Sequence, residues 1–142
     1  MPALTKTFFI KARDFAKAGE SSLQIQSILK SIGFTSDLIR RISICAYEAE
    51  MNVVMHGGDG ELSLTVDPKN IVLDVSDDGP GIEDVELALR EGYSTATPEY
   101  REMGFGAGMG LPNIKKNTDS LEIDSHNGRG VHLKMSFKVE DS

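Results

Sequence analysis

One cysteine in 142 residues excludes a disulfide within the chain. That residue, Cys45, sits between apolar Ile44 and Ala46 and reads as a buried, reduced thiol, which fits a reducing cytoplasm. No cluster of lysine or arginine interrupts a sequence whose formal net charge is −7. Binding to a phosphate backbone needs a basic surface that releases counterions, so nucleic acid is not an expected partner. An uninterrupted apolar run near the length of a bilayer span is also missing, and Met1 to Lys11 lack the charged-then-apolar order of a secretory signal. The expectation is a protein that is neither exported nor embedded in a membrane. Internal repeats, low-complexity tracts and linkers are likewise absent.

What is present is a balanced globular composition, with 39% apolar and 26% charged residues. The length suits one domain covering residues 1–142, with one core. Phe8, Phe9 and Ile10 lie in a stretch, Thr5 to Lys11, that reads as an edge strand. Ile25, Ile28, Leu29 and Ile32 then recur at helical spacing over Glu20 to Ile32, and Gly33 ends that helix. Thr35, Ser36 and Asp37 are good caps for a second helix, which runs to the glycines at 57 and 58.

This second helix carries two apolar stripes: Leu38, Ile42, Cys45, Ala49 and Val53 on one side, and Ile44, Tyr47, Met51, Val54 and Met55 on the other. Such a helix belongs at the centre of its domain. From Glu61 the period becomes two, with Leu62, Leu64 and Val66, a turn over Asp67 to Asn70, and Ile71, Leu73 and Val75 leading to Asp77. A short helix is expected around Glu83 to Arg90. Residues 92–110, rich in Gly and Thr, form a loop too long to be a plain connection, and therefore a candidate lid. A helix follows over Leu111 to Asn117, with Pro112 tolerated in its first turn. Leu121 to Ser125 and Val131 to Val139 then flank a turn at Asn127 to Gly130, with Val131, Leu133, Met135, Phe137 and Val139 on one face. Helices packed on one face of a mostly antiparallel mixed sheet make this an α+β chain.

Three constellations carry the functional signal. Glu48, Asn52 and His56 follow at intervals of four on the second helix, at the edge of its apolar stripe. Burying Glu and Asn there is costly without a partner, so a metal ion, water or ligand explains them as well as a partly solvated helix face does. Asp77-Asp78-Gly79-Pro80-Gly81 ends a strand. Taken alone it is an ordinary turn, but its glycines would also let a flat ligand approach a carboxylate. A calcium loop is excluded, because the twelfth position counted from Asp74 is Val85 rather than Glu. Gly104-Phe105-Gly106-Ala107-Gly108-Met109-Gly110 puts four glycines at alternate positions before a helix, suited either to a hinge or to wrapping phosphates with backbone N–H groups. It is not a P-loop, for no Lys-Ser/Thr follows, and no strand precedes it as a dinucleotide fingerprint requires. His126 and His132 have no ligand spacing and read as solvated.

The order of these motifs resembles the Bergerat-fold ATPase pattern of gyrase, histidine-kinase catalytic domains and their relatives. The chain's length, the Glu48-x-x-x-Asn52-x-x-x-His56-Gly57 spacing and Gly92-Tyr93-Ser94-Thr95 look most like anti-sigma-factor and switch-type serine kinases. The resemblance runs from about Phe8 to Phe137 and implies a single Bergerat-type sandwich with an ATP lid at about 92–110. It implies ATP and Mg2+ as cofactors, with Asn52 on the metal and Glu48 as general base or orienter for the attacking serine hydroxyl. Asp77 would accept from the adenine amine beside Gly79 and Gly81, and His56 would support the site from the helix end. Gly104, Gly106, Gly108, Met109, Gly110 and Leu111 would line the phosphates, and Arg101 would reach a phosphate or the partner. One departure is Val131, which follows Gly128-Arg129-Gly130 where the family often has a threonine whose hydroxyl serves the adenine side.

The resemblance implies a kinase acting on a small antagonist protein with a phosphorylatable Ser or Thr, with a sigma factor or other regulator as a further partner and a homodimer as a possible assembly. Glu48 supports this reading. The alternative is a module that binds a sigma factor or regulator in an ATP-dependent way without phosphorylation, which weak adenine binding beside Val131 would favour. A detached ATPase half of a two-component sensor is disfavoured, since neither a dimerisation helix pair nor a phosphoacceptor histidine precedes the domain.

Overall fold

The computed structural model describes residues 3–56, 58–79, 110–125 and 130–139, with the side chain of His56 excepted. The expected helix over residues 83–90, most of the lid and the tip of the last hairpin lie outside these.

Strands β1 (Leu4–Ile10), β2 (Gly60–Val66), β3 (Asn70–Asp77), β4 (Ser120–Ser125) and β5 (Val131–Lys138) form a five-stranded sheet in the order β1-β2-β3-β5-β4. All four pairings are antiparallel, so no parallel pair supports the "mixed" part of the expected sheet among the described strands. Alternation fixes the register. Phe8, Leu62, Leu64, Ile71, Leu73, Leu133, Met135 and Phe137 point into the core, while Thr7, Glu61, Asp74, His132 and Lys134 stand on the opposite face. The β2–β3 turn is closed by Asp67, whose Oδ1 accepts from the N–H groups of Lys69 and Asn70 at 2.8 and 2.7 Å.

Helices α1 (Glu20–Ile32), α2 (Ser36–His56) and α3 (Gly110–Asn117) cover the apolar face, with a 3₁₀ turn at Phe15–Lys17 before them. α1 stops where Gly33 takes φ 102°, its N–H returning to the Leu29 carbonyl. Thr35 caps α2 by accepting from the Leu38 N–H at 3.3 Å. The first apolar stripe of α2 is buried throughout. The second is buried only in its C-terminal half: Met51, Val54 and Met55 are covered, Ile44 is half-buried and Tyr47 is 42% exposed. The reason is that α1 and α3 flank α2, leaving a groove over the outer side of its N-terminal half.

The helix layer is tied together by polar groups. Buried Glu50 of α2 accepts from the N–H groups of Gly19 and Ser22 and from the Ser22 hydroxyl at 2.6 Å, capping an α1 whose own N-cap, Gly19, has no side chain to do so. Arg41 of α2 donates to the Asn117 carbonyl at the end of α3 and to Asp119, and lies over the Phe137 ring. Cys45 Sγ donates to the Ile114 carbonyl. At the other end of α2, the Val54 carbonyl accepts from the N–H of Arg13, a residue held at φ 65°.

Candidate functional site

The links from Arg41 and Cys45 fix how α3 lies along α2, and so decide what faces its N-terminus. A Cβ built on Gly110, the first residue of α3, would lie 3.3 Å from Asn52 Oδ1 and 3.4 Å from Glu48 Oε2. The helix therefore begins directly against the two polar side chains of α2, which a side chain at position 110 would press by a few tenths of an ångström. The first N–H groups of a helix lack intrahelical partners and carry about half a positive charge, which favours an anion there. Pro112 falls within this first turn, where its missing N–H is no loss, and Leu111, Pro112 and Ile114 are buried.

Glu48 is half-buried, and desolvation raises its proton affinity above the ordinary carboxylate range, offset in part by a hydrogen bond from Asn113. Asn113 sits one turn into α3. It is part of the candidate site that sequence reasoning missed, because an asparagine in a Leu-Pro-Asn-Ile helix start gives no periodic or motif signal of its own. Asn52 is partly exposed on the same side of α2.

The second half of the site is the end of β3. Asp77 Oδ1 accepts from the Gly79 N–H at 2.8 Å, and Gly58 donates a further backbone hydrogen bond. Burial raises the proton affinity of Asp77, those two bonds lower it and the Asp78 charge raises it. Three glycines from two separate connections, α2–β2 and β4–β5, crowd this strand end. A Cβ on Gly58 would collide with Asp78, one on Gly130 (φ +89°) with the Asp77 carbonyl, and one on Gly60 would come within 2.6 Å of the Ser76 carbonyl. Of these, only Gly130 stood in a stretch read as a turn, and none of the three was read as a site residue; their need appears only when the loops meet. Gly60 also abuts Val53 of α2, the residue after Asn52, which joins the two halves of the site. Val131 pairs across from Asp77 in the β3–β5 ladder, half-buried beside it.

Of the residues read from the sequence, Glu48, Asn52 and Gly110 come together, Leu111 anchors the start of α3 in the core, and Asp77 and Gly79 form the strand-end turn. Gly81, Arg101, Gly104, Gly106, Gly108 and Met109 lie outside the described residues, as does the side chain of His56. His132 is half-exposed on the outer face of the sheet and hydrogen-bonds Asp74 at 3.0 Å, in keeping with its reading as solvated.

Residues 13–137 match the family model of the histidine kinase-like ATPase domain. The chain belongs to this family. An anti-sigma F factor of Thermoanaerobacter sp. (strain X514) is 30% identical over 107 residues, 72% of this chain and 71% of that protein. The serine/threonine-protein kinase RsbT of Bacillus subtilis is 26% identical over 113 residues, 77% of this chain and 79% of the relative. In solved structures, the fold is shared with a Mycobacterium tuberculosis protein containing RsbU and RsbW domains, at a TM-score of 0.59 and 15% identity. That match takes in all of this chain and 34% of the larger one, so the chain corresponds to about a third of it. As a histidine kinase-like ATPase domain, the chain is built to bind ATP.

Proposed function

We propose that this protein is an ATP-dependent serine/threonine-protein kinase of a bacterial partner-switching system, acting on a small antagonist protein and binding a sigma factor or similar regulator. The observation that carries this is the meeting of Glu48, Asn52 and the N-terminus of α3 at Gly110. The relatives named as anti-sigma F factor and RsbT kinase support it.

The residues present fit ATP and magnesium. The gap at Gly110 faces an amide oxygen and a carboxylate, and the start of α3 supplies the positive end of a helix dipole to an otherwise acidic protein. Magnesium keeps much of its water and takes phosphate oxygens, so one protein oxygen from Asn52 suffices. ATP supplies the phosphoryl group, and the metal neutralises charge that builds on it. Asn52 would hold the metal. Glu48 lies one helical turn away and takes the proton of the incoming hydroxyl, a task for which a raised proton affinity suits it. Asp77, fixed by Gly79 and Gly58, has oxygen lone pairs left to accept from the adenine amine. Gly110 and Leu111 start the phosphate-facing helix; Gly79 and Gly81 allow the base to approach. On this reading Gly104, Gly106, Gly108 and Met109 would line the phosphates from a lid at about 92–110, Arg101 would contact a phosphate or the partner, and His56 would support the helix end.

One domain spanning residues 1–142 is proposed, working in the cytoplasm; no helix among the described residues is long and apolar enough to cross a membrane. Calorimetry with Mg-ATP tests the site. Wild type binds and Asn52→Ala and Asp77→Asn lose binding; a wild type that binds no nucleotide would overturn the assignment. A second reading, an ATP-dependent binding module without phosphorylation, is favoured by Val131, which places methyl groups rather than a hydroxyl beside Asp77. It predicts nucleotide binding with no labelled protein product from γ-labelled ATP.

A further inference from the structure

The groove on the outer side of α2 encloses about 770 Å³ between α1, α2 and α3, and Glu48 and Asn113 lie at one end of it. Phe34, Ile44 and Tyr47 give it an apolar wall; among the described residues Lys30 and Arg40 are its cationic lining and Glu48 its anionic lining. Positive charge is thus gathered away from Glu48 in a chain of net charge −7. Lys30 forms no ion pair with a described residue, and Arg40 pairs only with exposed Asp37 on its own helix.

Direction settles what belongs there. In phosphoryl transfer the attacking and leaving oxygens lie roughly in line on opposite sides of the transferred group. If the purine lies at Asp77 and the phosphates at Asn52 and Gly110, as proposed above, the leaving ADP occupies the C-terminal side of α2. The attacking hydroxyl must then come past Glu48 from the N-terminal side, where the groove lies.

We infer that this groove receives the acceptor segment of the protein substrate, a stretch with a serine or threonine at Glu48, apolar residues against Phe34, Ile44 and Tyr47, and an acidic residue at Lys30 and Arg40. The inference rests on the kinase reading. The hydroxyl oxygen bonds the γ-phosphorus as the P–O bond to ADP breaks, and the hydroxyl proton passes to Glu48.

The test uses fluorescein-labelled serine peptides of the form acidic–apolar–Ser, with basic–apolar–Ser counterparts, against the full chain. Anisotropy is read without nucleotide, and phosphate transfer is read with γ-labelled Mg-ATP. The acidic peptides are expected to bind at least tenfold more tightly than the basic ones. Lys30→Glu should reverse that preference and Ile44→Arg should abolish binding, with circular dichroism showing both variants folded. Calorimetry with Mg-ATP on the same variants should give wild-type nucleotide affinity. Equal binding of both peptide classes, no binding, or indifference to both substitutions overturns the groove assignment while ATP binding stands. Loss of ATP binding by wild type with peptide selectivity intact overturns the kinase reading and leaves the groove as a docking site.

Discussion

Burial raises the proton affinity of Glu48, and the hydrogen bond from Asn113 works against it. Replacing Asn113 with Leu removes that opposition, so the acidic limb of the phosphotransfer pH profile should move to higher pH; a limb that stays in place would separate Asn113 from the base. Glu48→Gln should cut phosphotransfer by about 10²- to 10⁴-fold, the usual worth of a general base. The same substitution should also stabilise the fold. A carboxyl whose folded-state value is raised lends its full stability only below its unfolded value, and loses it as pH rises through the folded one. Wild type carries that loss at neutral pH and the glutamine does not. The thermal midpoint of the variant should therefore exceed wild type at pH 7, and the gap should narrow as pH falls to about 4, near the unperturbed glutamate value. Glu48 and Asn52 were legible as candidate site residues because a helix offers few reasons to place Glu and Asn at the margin of an apolar stripe. Asn113 was not, since its significance depends on which helix it faces.

Among the elements, α1 depends on a cap supplied by another helix. Glu50→Ala leaves the N–H groups of Gly19 and Ser22 and the Ser22 hydroxyl without their acceptor, at a cost of about 2–4 kcal/mol in urea unfolding. Glu50→Gln, which keeps one carbonyl acceptor, should cost less. The strand end at Asp77 has a similar dependence. Gly130→Ala forces a side chain against the Asp77 carbonyl at φ +89°, and both stability and Mg-ATP affinity should fall; a variant with wild-type affinity would argue that the Asp77 turn does not shape the nucleotide site. Periodicity had marked out these elements closely: α1 spans Glu20–Ile32, and the β2–β3 hairpin turns at Asp67. It could not reveal Glu50, a charge that looks like any surface position on a helix until Gly19 and Ser22 are brought against it.

For the whole molecule, Cys45 is a probe of global opening. Its side chain is fully buried and its thiol is pushed up to about 12, chiefly by desolvation. Native protein should resist iodoacetamide, with labelling in urea following the unfolding transition; rapid labelling without denaturant would show that α2 and α3 part locally. The sequence by itself determined which residues are apolar on which face, the bounds of the described helices and strands to within about a residue, the α+β class, and the residue types of the candidate site. Those follow from local periods and turn chemistry, which act over a few residues. Only the tertiary structure decided the strand order β1-β2-β3-β5-β4, the burial of one half of α2's second stripe and the exposure of the other, and the meeting of Gly110 with Glu48 and Asn52. A hydrophobic face says that it must be covered and is silent about what covers it, so contacts between residues some sixty positions apart arise from packing the three helices together on one sheet.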